Sequence, residues 1–153
     1  MTKFSLPMTQ LIHENLSIVM NFAFSRIPLE QLMDTKFQGE WKYLRKALFE
    51  ISGRKAEKAC LELALFMRLL DDQEYVTNHS KRDFGRLVFR DKPETELNLR
   101  HVCNKIIHAS DLKWDFATEG NPVLICNSLE SEKWLRAEVD IVSLAAFCGE
   151  LMS

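Results

Sequence analysis

The segment "ACLELALFMRLL", Ala59 to Leu70, constrains the fold most, because only Glu62 and Arg68 interrupt its apolar character. It reads as part of a helix from about Arg54 to Asp72. A helix apolar nearly all round is predicted to be central, with other helices packed about it. The chain has 153 residues, enough for one domain, 1–153, around one sizeable core. Ten Phe and three Trp supply bulky core material, and few Gly and Pro favour long elements.

Partner helices precede that segment. The spacing of Leu11, Ile12, Val19, Phe22 and Ala23 predicts a first helix from about Met8 to Phe24, with Pro28 just beyond its end. Met33, Phe37, Trp41, Leu44, Leu48 and Ile51 form one continuous face, predicting a second helical region from about Leu29 to Ile51. Gly39 is expected to bend it and Ser52-Gly53 to end it.

After the central segment, "DDQEYVTNHSKRDFGRL" is polar and reads mostly as loop. With Arg90 it holds the densest basic stretch, Lys81, Arg82, Arg86 and Arg90, either a solvated loop or an edge for phosphate. A fourth helix is expected from near Pro93 to Ala109-Ser110, with Asp91 and Glu94 at capping-box spacing. The period then changes: "LKWDF", "VLICN" and "KWLRAEVDI" read as three short strands, and a last helix runs from Asp140 or Ile141 to Met152. The expected fold is mainly α, a compact helical bundle with a small antiparallel β-meander before the C-terminal helix.

The N-terminus "MTKFSLPMTQ" has no apolar run of signal-peptide type, and no window suits a membrane span. Cys60, Cys103, Cys126 and Cys148 are widely spaced among apolar residues and read as buried free thiols of a reducing, cytoplasmic protein. A net charge of -2 means that nucleic-acid binding would need a local patch.

The stretch "LRHVCNKIIHA", Leu99 to Ala109, offers one. On a helical projection Leu99, Val102, Cys103 and Ile106 share a core-facing arc, while His101, Asn104 and His108 fall opposite within roughly 60°. Arg100 and Lys105 flank them. Imidazoles titrate near neutrality and a guanidinium binds phosphate, so the face carries parts suited to cleaving RNA. The bland reading is a solvated or partner-facing surface. His101 and His108 are too far apart to share a metal ion comfortably, so neither metal nor cofactor is expected.

"CNKIIHA" on the fourth helix of a small bundle resembles the signature region of the HEPN superfamily. The resemblance implies a dimeric helical domain, often a metal-independent ribonuclease of bacterial defence or toxin–antitoxin systems. The family signature places an Arg a short spacer before a His, frequently with Asn after the Arg. Asn104 and His108 match that half of the motif. Cys103 stands where the family has its Arg; Arg100 lies further from His108 than the family spacer, and His101 is extra. By this likeness His108 is the general base, Asn104 orients, and Arg100 clamps phosphate. His101, Lys105 and Arg86 are then candidates for substrate binding. The implied partners are a second copy through the fourth helix, an RNA substrate and an antitoxin, with no membrane. The alternative is an inactive module that dimerises or binds a partner. A third reading, Cys103 as nucleophile, is disfavoured by its place on the core face.

Overall fold

A computed structural model of the chain describes residues 6–37, 39, 41–74 and 81–152. The first helix, α1, spans Leu6–Thr35 and buries Ile12, Asn15, Val19, Phe22 and Ala23. It runs through Pro28 instead of ending before it. Pro28 is exposed, so water can serve the backbone carbonyl that loses its helical donor. The predicted second helix is therefore divided. Its first part belongs to α1, Gly39 falls in the break, and α2 (Trp41–Arg45) continues into a π-helical turn, Lys46–Ile51.

Ser52 and Gly53 do not end a helix; they begin α3, Ser52–Glu74. A Cβ at Gly53 would come within 3.3 Å of the Phe22 ring, so the glycine permits close packing of α3 on α1. Arg26 of α1 lays its guanidinium 3.9 Å from the ring centroid of Phe49 in the π-helical turn, tying that turn to α1. α3 packs on α1 and on the helix Leu99–Ile107 and buries Ala56, Ala59, Cys60, Leu63, Ala64, Met67 and Leu70, yet Leu61, Leu65 and Leu69 are exposed. It is not surrounded, as its composition suggested.

The larger correction concerns fold class. The protein is α+β, not a mainly helical bundle with a three-stranded meander. Among the described residues, β1 (Gly85–Val88), β2 (Thr95–Glu96), β3 (Ala109–Asp115), β4 (Val123–Ser128) and β5 (Arg136–Asp140) form one antiparallel sheet of order β2-β1-β5-β4-β3. Of the polar stretch read mostly as loop, residues 71–74 extend α3, residues 75–80 lie outside the described residues, and residues 85–87 belong to β1; β2 precedes the fourth helix. β5, paired with β1 on one side and β4 on the other, makes the three expected strands part of a larger sheet.

The inner sheet face buries Leu87, Leu124, Cys126, Ala137 and Val139. On the other face Lys113, Ile125, Glu138, Arg86 and Glu96 stand in register across all five strands. Such alternation gives an antiparallel sheet one covered and one solvated side. The helix α4, Leu99–Ile107, crosses from β2 at one edge to β3 at the other and packs on both α3 and the sheet. It starts later than predicted: Asn98, not Asp91, caps it, accepting the His101 backbone N–H at 2.8 Å. Leu99, Val102, Cys103 and Ile106 are buried, the arc read from the projection. Each aliphatic side chain so buried contributes about 1.5–3 kcal/mol. The last helix, α5 (Ile141–Met152), follows β5 directly and is capped by Asp140. No helix among the described residues is long and apolar enough to cross a membrane.

Candidate functional site at the end of the sheet

β1 and β4 finish, and β3 and β5 begin, at the same end of the sheet. Residue His108 caps the C-terminus of α4 at that end, its backbone N–H donating to the Asn104 carbonyl at 3.0 Å. Ala109 then opens β3. An exposed imidazole is thus held where a packed helix turns into a paired strand.

Beside it lies a cleft of about 530 Å³ lined by Lys105, His108, Ser128, Glu130, Lys133 and Trp134, among others. Lys105 Nζ sits 4.5 Å from the Trp134 ring centroid, which fixes the ammonium group in place. Burial pushes the Lys105 pKa below that of an ordinary lysine. Lys133 pairs with Glu130 at 2.9 Å, which raises the lysine and lowers the carboxylate in pKa. The loop between β4 and β5 is ordered by local bonds: Ser128 Oγ accepts the Glu130 N–H at 2.9 Å, and the Glu130 carbonyl accepts from Lys133 and Trp134.

The other residues singled out from sequence are dispersed. Arg100 points across to α3, donating to Asp71 at 3.2 Å and to Asp72, and both carboxylates raise its pKa. It is a bolt between helices. Arg100→Ala is expected to lower stability by about 1 kcal/mol in urea unfolding, since the pair is partly solvated. Asn104 also faces α3, its Oδ1 accepting from Arg68 at 2.7 Å. Arg68 thereby places a guanidinium beside Asn104 from another helix, although Cys103 provides none. His101 is exposed near the start of α4 and does not line the cleft; burial, then Lys105, lowers its pKa. Arg86 lies on the solvated sheet face, bonded to Asp83 at 2.6 Å and near Glu94 at 3.7 Å, away from the cleft.

The basic stretch does not form a single edge either. Arg82 pairs with Glu150 on α5, and Arg90 donates to Ser131 Oγ at 3.0 Å. Burial pushes the Cys103 thiol up to about 12, so it is inert at neutral pH. Among the described residues no group of three or more His, Cys, Asp or Glu could hold a metal ion. Nothing in the sequence pattern singles out Ser128, Lys133 or Trp134; register across the sheet brings them to His108. No family model, curated protein or solved structure matches the chain.

Proposed function

We propose that the chain binds single-stranded RNA in the cleft beside His108 and cleaves it there without a metal ion. This is the HEPN-like ribonuclease reading with its cation relocated. The supporting observation is that His108, Lys105 and Lys133 line one cleft. In this scheme His108 takes the proton of the ribose 2′-hydroxyl, and the 2′-oxygen attacks phosphorus. The P–O5′ bond breaks, giving a cyclic phosphate and a 5′-hydroxyl. Lys105, its pKa lowered by burial, donates the proton to the leaving oxygen. Lys133 neutralises phosphate charge, the part that sequence likeness assigned to Arg100.

A second reading is favoured by a specific observation. Asn104 and Arg100 are both engaged with α3, which suits a module that binds RNA and does not cut it. Labelled single-stranded RNA, incubated with the protein in EDTA, separates the two. Cleavage to cyclic-phosphate ends supports the first; salt-sensitive binding without cleavage supports the second. For either, Lys105→Ala and Lys133→Ala are each expected to flatten the log–log dependence of affinity on salt by about 0.7. Absence of binding at low salt rejects both.

A further inference from the structure

A second cavity, of about 320 Å³, lies where α1, the π-helical turn, the start of α3 and the end of β3 meet. A volume of this order suits a small planar ligand. Its walls are aromatic, built from Phe22, Phe49, Trp114 and Phe116. The Trp114 and Phe116 rings lie within 14° of parallel, and Phe22 meets Trp114 at 5.2 Å between centroids. Arg26 adds a flat guanidinium, 3.9 Å from the Phe49 centroid and 5.5 Å from that of Phe116. Aromatic faces and arginine planes are the surfaces on which unstacked bases pack.

Two polar groups at these walls lack hydrogen-bond partners. Glu57, half-buried, makes no hydrogen bond or salt bridge among the described residues; Arg54, near it on α3, is paired with Glu50. Burial raises the Glu57 pKa, an effect that Arg54 opposes and Asp111 reinforces. The Trp114 indole N–H is enclosed and has no acceptor. Enclosed polar groups of folded proteins ordinarily have partners.

We infer that this cavity binds a guanine base. Among the RNA bases guanine alone presents two adjacent N–H donors on one edge, N1–H and the 2-amino group, which match the two oxygens of a carboxylate. Adenine and cytosine set a bare ring nitrogen beside the amino group, and uracil flanks its N–H with carbonyls. Glu57 accepts both guanine donors while the ring stacks on the aromatic wall. The O6 carbonyl, next to N1, takes the Trp114 N–H once the indole turns toward it. An ammonium ligand, the other occupant of aromatic cages, is disfavoured because Arg26 and Arg54 already line the cavity. No lining residue is shared with the His108 cleft, so the inference does not depend on that reading. A free guanine nucleotide and a guanine in single-stranded RNA offer the same edge, and the test separates them.

Calorimetric titration of the intact chain with nucleosides tests the proposal. Guanosine is expected to bind. Inosine, which lacks the 2-amino group, should bind about tenfold more weakly or worse, and adenosine, cytidine and uridine more weakly still. Glu57→Gln, at a partly exposed position of α3, is expected to keep the wild-type urea midpoint and to bring guanosine and inosine level. Phe116→Ala should weaken guanosine by about tenfold through lost stacking. Guanosine monophosphate binding more tightly than a oligouridine strand carrying one guanine assigns a free nucleotide; the reverse assigns RNA. Failure of all three guanine probes to bind at millimolar concentration overturns the proposal. So does equal wild-type affinity for guanosine and inosine, or an unchanged preference in Glu57→Gln. Preference for tetramethylammonium over guanosine also overturns it and gives the cavity to a cation.

Discussion

His108→Ala is expected to lower RNA cleavage in EDTA by at least about 100-fold, the usual lower bound for removing a general base. Binding of the same RNA should change little, because Lys105 and Lys133 remain. The substitution is mild structurally: the side chain is exposed, and the C-cap bond is made by the backbone. A cleavage loss accompanied by an equal loss of folded protein would show nothing about chemistry, so urea midpoints should be compared alongside. Wild-type cleavage that survives the substitution removes His108 from the mechanism. Arg100→Ala serves as the contrast, since its effect should appear in stability and not in the chemical step.

Gly85→Ala carries the largest expected effect on folding. Gly85 has φ of +136°, and a Cβ there would lie 1.9 Å from the Glu138 carbonyl oxygen on β5. The strained dihedral alone costs about 1–3 kcal/mol. Relieving the overlap requires β1 to move from β5 in the middle of the sheet, so about 3 kcal/mol or more is expected in total, a large part of typical domain stability. Gly120 provides the control. Its φ is +78° but nothing lies within 4 Å of a Cβ, so Gly120→Ala should cost only about 1–2 kcal/mol. Equal urea midpoints for the two variants would refute the steric account.

These two sites illustrate what sequence carries and what it does not. The inward arc of α4 was readable because helical periodicity and burial agree at Leu99, Val102, Cys103 and Ile106. The strand patterns of "VLICN" and "KWLRAEVDI" were readable because one face of each is buried. β1 was hidden, since Leu87 is its one buried residue, and Thr95–Glu96 of β2 is wholly exposed. Those strands exist through pairing, which no local pattern encodes. The central position expected for α3 failed because apolar composition does not say whether neighbours of the same chain cover a helix. For the site, His108 and Lys105 were visible on one helix. The commitment of Arg100 depends on Asp71 and Asp72 across the gap, and Lys133 arrives from a loop 25 positions later.

The position of β5 bears on how the chain can be assembled during synthesis. The last strand to emerge from a ribosome occupies an interior place, between β1 and β4. Until residues 136–140 appear, the hairpin of β1 and β2 and the hairpin of β3 and β4 each present an unsatisfied edge to other nascent chains. Such edges invite mispairing. The sheet is completed by insertion of a wedge, not by growth at a rim, and α5 follows without an intervening loop to seal it.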